Sequence, residues 1–357
     1  MEYYNQNGVQ WNSSEDNYFK LTQTELAGDD SKNTRFLPKS STLTHFKNYN
    51  KLFAIPNINT NNNIGMSSMF QNCYSLTTIP QFDTSNKTNM NNMFQNCFSL
   101  TTIPQLDTNN VTDMSNMFSS CHSLITIPQL NTGKVINMDN MFSSCRSLIT
   151  IPLLDTSKVT TMNNMFLECY SLKTIPQLNV SKVTNMHSMF NYCYSLKIIP
   201  LLDTSSVTNM SSMFNGCYSL ITIPQLDTSS VIYMDSMFGN CYSLTMIPQL
   251  DTSSVTSIGN MFYNCSSPET LGGFLNLGQA YSTTSSANYS NYKLNLSTCT
   301  KLTEQSLINV LTNLYDIATK GCKTQQVILG STNLAKLTSE EGQQALSNAQ
   351  TKGWTVS

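Results

Sequence analysis

The chain has 357 residues, only 11% of them charged, and a formal net charge of −2. Arginine occurs twice, at Arg35 and Arg146, so the basic patch that nucleic-acid binding requires is missing. No run of roughly 18 apolar residues is present, which excludes a membrane-spanning helix.

The first segment, residues 1–44, is polar with scattered aromatics (Tyr3, Tyr4, Trp11, Tyr18, Phe19). It reads as an N-terminal arm or attachment segment. Its start, MEYYNQNGVQWNSSEDNYF, has no basic beginning and no apolar core, so it is not a Sec signal peptide. If the numbering begins at the true start, the chain is made in a cytosol and is not exported by that route.

Residues 45–267 form the second segment, and they repeat. Cysteines stand at Cys73, Cys97, Cys121, Cys145, Cys169, Cys193, Cys217, Cys241 and Cys265, always 24 residues apart. Met-Phe and Ile-Pro recur with the same step, and no insertion breaks the register. A unit this short cannot bury its own apolar face, so it must stack on its neighbours as a solenoid of about nine coils. In the coil from Cys97 to Cys121, the residues Val111, Met114, Met117, Phe118 and Cys121 are spaced as one face of a short helix. Thr112, Asp113, Ser115, Asn116, Ser119 and Ser120 are expected to face water. Leu100, Ile103 and Leu106 belong to a short parallel strand of about four residues, ended by Pro104. Strands stack more closely than helices, so the strand side should be concave.

The third segment, residues 268–357, breaks the period at Pro268. GFLNLG reads as one more strand, and a polar loop from Tyr281 to Tyr292 follows. KLNLS, TEQSLINVLTNLYDIA, QQVILG, SEEGQQALSNAQTK and GWTVS then read as strand, helix, strand, helix, strand. The helix from Thr303 places Leu307, Val310, Leu311 and Leu314 on one face. This βαβαβ region is expected to cap the solenoid.

Each repeated column has two readings. One cysteine per coil, without a His or Asp partner at fixed spacing, reads as a buried free thiol rather than a metal ladder or disulfide stack. The column Asp83, Asp107, Asp155, Asp203, Asp227 and Asp251, with Asn131 and Asn179, offers one carboxylate per coil. That is thin for calcium and suits turn or helix capping. No cofactor or metal site is expected. The column after each cysteine is Tyr74, Phe98, His122, Arg146, Tyr170, Tyr194, Tyr218 and Tyr242. It either contacts a partner through aromatics with polar tips or covers the edge of the core. The strand column Thr77, Thr101, Ile125, Ile149, Lys173, Lys197, Ile221 and Thr245 varies more than the core does, as a binding face would. His45, His122 and His187 share no column that could make a catalytic set, and no catalytic motif is present.

The pattern MFxxCxSLxxIPxLDTSxVTNM resembles the leucine-rich repeats of the BspA type, over residues 45–267. VILGSTNLAKLTSEEG is similar to the closing segment on repeat proteins of crAss-like gut bacteriophages. The resemblance implies an α/β solenoid: a leucine-rich-repeat-like right-handed coil of short parallel strands and short helices. It implies adhesion or recognition, not catalysis. The expected role is a tail-associated virion component made in the host cytoplasm, with a cell-surface adhesin of the BspA type as the alternative. Its partners would be other virion proteins, a host surface protein or a polysaccharide, not nucleic acid. An oligomer is compatible with this.

Overall fold

Tandem β-turns, not a helix, build the Met-Phe half of every coil. The protein is described by a computed structural model covering residues 3–4, 10–11, 46–55, 65–280, 293–320 and 325–357. It divides into two units, Met1–Lys158 and Val159–Ser357, each described by itself. Most of the expected N-terminal arm, and the loop from Tyr281 to Tyr292, lie outside the described residues. Within the arm, β1 (Tyr3–Tyr4) pairs antiparallel with β2 (Gln10–Trp11).

In the coil ending at Cys121, Met117 N–H donates to Met114 O, Ser119 N–H to Asn116 O and Cys121 N–H to Phe118 O, each at 3.0–3.1 Å. Asn116 and Ser120 have φ of 55° and 61°. A turn with its third residue left-handed is type II, and such residues end a helix. The helical reading therefore fails on backbone conformation, although its spacing found the core. The first left-handed column is Ser68, Asn92, Asn116, Asn140, Asn164, Ser188, Ser212, Ser236 and Asn260. Asn in this column has a physical basis, since it is one of the few side chains that tolerates φ > 0.

The amides between the turn donors point to the next coil. Asn92, Phe94 and Asn96 donate to Ser115 O, Met117 O and Ser119 O at 2.8–2.9 Å. Alternate N–H groups thus close turns and join coils, and no donor in this stretch is wasted. Because Ser115 and Ser119 sit between coils, both are buried rather than facing water as expected.

The other half is extended but holds little regular strand. Thr101 N–H bonds Thr77 O at 3.2 Å and Ser99 N–H bonds Tyr74 O at 3.2 Å, after which Pro104 has no N–H to give. One isolated parallel bridge, Thr222–Met246, lies in this half, while others lie elsewhere, at Asn89–Asp113–Asn137 in the first unit and Thr161–Asn185–Asn209–Tyr233–Ser257 in the second. Strands of the 24-residue pattern pair at its last coils in the second unit: β3 (Met246–Ile247) with β5 (Thr270–Leu271), and β4 (Leu250–Asp251) with β6 (Phe274–Leu275). There Gly272 replaces the recurring proline, and its N–H donates to Ile247 O at 3.0 Å. A Cβ at Gly272 would lie 2.4 Å from Gln249 N, so only glycine fits.

The core columns are those read from the sequence. Leu100, Ile103, Leu106, Val111, Met114, Met117, Phe118 and Cys121 are all buried. Phenylalanines stack from Phe46 to Phe142 with centroids 5.4–5.6 Å apart, and from Phe166 to Phe262 at 5.6–5.9 Å. Helices would need about 8–10 Å, so the premise for a concave strand side is absent.

The cysteines are more than small hydrophobes. Seven thiols, those of Cys73, Cys97, Cys121, Cys145, Cys193, Cys217 and Cys241, donate to a phenylalanine carbonyl 27 residues earlier at 3.0–3.1 Å, while Cys265 donates to Cys241 O at 3.5 Å. The ten described cysteines are buried and unbridged. A buried threonine column works similarly. Thr108, Thr132, Thr204, Thr228 and Thr252 each donate to the backbone carbonyl 23 residues later at 2.7–2.9 Å, while the Thr84 and Thr156 hydroxyls have no partner.

After β6 the second unit returns to the coil pattern. Leu296, Cys299 and Leu302 repeat the Phe, Cys and Leu positions, with the same turns from Cys299 N–H to Leu296 O and Leu302 N–H to Cys299 O. β7 (Lys293–Asn295), β8 (Gln325–Ile328) and β9 (Trp354–Val356) form a parallel sheet in that order. Between them lie α1 (Glu304–Thr312), α2 (Ser331–Leu334) and α3 (Glu340–Thr351). Thr303 caps α1 and Ser339 caps α3 through their side chains. The Glu304 carboxylate accepts Thr338 N–H and Ser339 N–H at 2.8 Å, which joins the two helices. Leu307, Val310, Leu311 and Leu314 are buried as read. Buried Asn333 takes the thiol's role in the last coil, donating to Leu296 O at 3.1 Å.

Candidate functional site

The residue after each cysteine is held by the turn that starts there. Leu124 N–H closes the turn onto Cys121 O, and Ser123 N–H bonds Phe98 O, both at 3.1 Å. The equivalent bonds from Ser99 to Tyr74, Ser147 to His122 and Ser195 to Tyr170 run at 3.1–3.2 Å. Tyr74, Phe98, His122 and Tyr170 therefore have their carbonyls tied to the next coil, and their side chains stand at the coil spacing.

The rings consequently stack. In the first unit Tyr74 lies 4.8 Å from Phe98, and Phe98 lies 4.7 Å from His122, with interplanar angles of 7° and 3°. Arg146 is exposed in the same column. In the second unit Tyr170–Tyr194 and Tyr194–Tyr218 stack at 4.6 and 4.5 Å, and Tyr218–Tyr242 opens to 36° at 5.0 Å. Tyr74, Tyr218 and Tyr242 are 39%, 36% and 44% exposed, and Phe98, His122, Tyr170 and Tyr194 are half-buried.

This stacking decides what the column can do. Phe98, Tyr194 and Tyr218 have neighbours on both ring faces, so a sugar cannot stack on them. Phe98 offers its ring edge, and Tyr194 and Tyr218 offer edges and phenol oxygens. The hydroxyls are also engaged, from Tyr170 to Glu168 Oε2 at 3.2 Å and from Tyr242 to Asn240 Oδ1 at 3.4 Å. Burial raises the Tyr194 and Tyr218 pKa values, and neighbouring phenols add to this.

The adjoining strand column is partly tied down. The Thr77, Thr101 and Thr245 hydroxyls donate to carbonyls of the preceding coil at 3.2–3.4 Å. Ile125, Ile149, Lys173, Lys197 and Ile221 are exposed. Farther along the coil, Gln81, Gln105 and Gln129 donate to carbonyls of the next coil at 2.5–2.6 Å. Leu153 and Leu201 replace glutamine in that column and stand 61% and 63% exposed.

The aspartate column closes turns. Asp83, Asp107, Asp155, Asp227 and Asp251 each accept the N–H two residues on at 2.9–3.0 Å, and Asn131 does the same at 3.1 Å. Serine N–H and hydroxyl bonds hold Asp83, Asp155 and Asp227 below the usual carboxylate range. Among the described residues, no group of three or more His, Cys, Asp or Glu is placed to hold a metal ion. His122 is part of the ring stack and His187 meets Ser188 Oγ at 3.3 Å; His45 lies outside the described residues.

Sequence reasoning missed the second left-handed column. It reads Asn72, Asn96, Ser120, Ser144, Glu168, Tyr192, Gly216, Asn240 and Asn264. Aligning the coils by that position would have shown the change at Glu168, Tyr192 and Gly216, beside the tyrosines.

A family described as "Mycoplasma protein of unknown function, DUF285" matches residues 40–150, 98–199 and 195–295. No curated protein matches the chain. Similar solved structures include a leucine-rich cell surface protein from Faecalibacterium prausnitzii A2-165, at 20% identity over 71% of this chain and 76% of that one, with a TM-score of 0.32. The leucine-rich repeat protein TpLRR of T. pallidum matches at 20% identity over 54% and 76%, with a TM-score of 0.32. An internalin C2 from Listeria monocytogenes matches at 14% identity over 55% and 79%, with a TM-score of 0.26. These scores are too low for a role to be carried over. None of the matches indicates an enzyme family.

Proposed function

From the premise that the chain belongs to the family described as Mycoplasma protein of unknown function, DUF285, we propose that it is a non-enzymatic recognition protein that binds a protein partner through its aromatic column and the aliphatic residues beside it. The carrying observation is the continuous ring stack, Tyr170–Tyr194–Tyr218, at 4.5–4.6 Å. Such a stack presents repeated edges at fixed spacing, so individually weak contacts add. It has no converging pocket for turnover of a small substrate. The exposed Leu201 and Ile221 of the same unit supply apolar area that suits a protein better than a glycan.

The cell surface is the proposed setting. The family is described from a cellular organism, which favours this reading over the virion suggested by the phage resemblance. The proposed capping role of residues 268–357 fits a stack whose last coil needs covering.

The test is a panel of cell-surface proteins and a glycan array, probed with the full chain and with the Tyr170, Tyr194, Tyr218 and Tyr242→Ser quadruple variant. Protein hits that the quadruple variant loses support the proposal. Hits confined to glycans, or hits that the variant keeps, overturn it.

A further inference from the structure

Coils that are near copies make a local departure conspicuous, and three successive coils depart at one position. Where the flanking coils carry Asn or Ser in the second left-handed column, these carry Glu168, Tyr192 and Gly216. Glu168 and Tyr192 keep φ of 57° and 61°, a conformation costly for long or bulky side chains and held only where the surroundings enforce it.

The surroundings do enforce it. The Tyr192 ring lies over Gly216, where a Cβ would come within 2.5 Å of Tyr192 Cδ1. Tyr192 meets Tyr194 edge-on, with centroids 6.0 Å apart at 74°. Tyr194 is stacked between Tyr170 and Tyr218. The Tyr170 hydroxyl donates to Glu168 Oε2 at 3.2 Å. Glu168 and Tyr192 both lie near enough to raise the Tyr194 pKa, after the larger effect of burial. Three coils therefore gather two perpendicular ring planes, a carboxylate and several phenol oxygens.

That chemistry selects a cation carrying N–H donors. The face of Tyr192, which is not part of the ring stack, attracts positive charge, and the Glu168 carboxylate with the phenol oxygen of Tyr194 accepts charge-assisted hydrogen bonds. We propose that the corner formed by Glu168, Tyr192 and Tyr194 binds one guanidinium or ammonium side chain of a protein partner. This rests on the reading that the aromatic column is a binding surface. A quaternary ammonium has no N–H and suits the site less. Lys173 and Lys197, exposed three residues after Tyr170 and Tyr194, disfavour a polycation and favour a single positive side chain.

The probe is N-acetyl-arginine methylamide, titrated into the full chain while tyrosine ring resonances are followed. N-acetyl-norleucine methylamide and choline are the controls. The variants are Glu168→Asn and Tyr192→Asn. Each restores the residue that Asn72 and Asn96 hold in their own coils, so folding should be kept and is checked by far-ultraviolet dichroism. The expected result is saturable arginine binding, weakened about tenfold by either variant, with both controls at least about tenfold weaker. No saturable arginine binding, equal binding by both variants, or choline binding as tight as arginine overturns the proposal. If the quadruple tyrosine variant still loses its protein partner after such a failure, the column reading survives and this site alone falls.

Discussion

The Cys121 thiol donates to the carbonyl oxygen of Phe94 at 3.1 Å, and the same oxygen accepts Cys97 N–H at 3.0 Å. One carbonyl thus closes a turn in its own coil and ties down the next. Ala or Val would fill the space but leave this second bond unmade, which accounts for cysteine at the seven coils that make it.

Buried thiols should be inert in the folded chain. A disulfide reagent is expected to label nearly none of the ten described cysteines natively, and all of them in denaturant. Fast native labelling would contradict the ladder. The pH dependence follows from the same burial. Cys73 and Cys241 are pushed from 9.0 up to about 12 by desolvation, only partly offset by a backbone hydrogen bond. A raised folded pKa stabilises below the unfolded value and loses that contribution as pH rises toward the folded one. Stability should therefore fall steeply between about pH 9 and 12, by up to ~1.4 kcal/mol per pH unit for each such thiol. A flat melting temperature across that range would oppose this.

The left-handed turn positions give a second test. At Asn116, with φ of 55°, Asn116→Gly should be close to neutral, whereas Asn116→Val should cost ~1–2 kcal/mol. Equal costs in urea unfolding would mean that the turn conformation is not what selects the residue.

Matched threonines separate a hydrogen bond from mere volume. Thr204 donates to Asp227 O at 2.7 Å, while the Thr84 hydroxyl in the same column has no partner. Thr204→Val should cost ~1 kcal/mol, and Thr84→Val should be neutral or stabilising. The reverse order would reject the column's assigned role. Val180 already occupies this column, buried, in another coil.

The period, the stacking and the buried columns were legible because apolar spacing reports burial whether the backbone is helix or turn. Val111, Met114, Met117 and Phe118 fall on the core side under either geometry. What spacing could not report was φ. The Asn and Ser at positions 116 and 120 looked like solvent-facing residues between core positions, when they are the left-handed residues of two turns. The strand was overread for a related reason. Leu100, Thr101 and Ile103 have strand character, but ladder formation depends on N–H groups, and the recurring proline, Pro104 in this coil, removes one from each. Only Gly272 restores it. Cys299 went unrecognised as a return to the column because the segment before it breaks the 24-residue count. The aromatic column itself was found, but not that its rings stack face to face, since one repeat shows nothing of the coil-to-coil distance.

The tyrosine column is proposed to bind a partner as a ladder. This is tested most directly by titrating a partner protein from the surface panel against Tyr→Ser changes at Tyr170, Tyr194, Tyr218 and Tyr242, made singly, in pairs and all together. Affinity should fall progressively, with each change costing a few-fold and the quadruple variant losing the most. A quadruple variant that binds as tightly as the unaltered chain would contradict it.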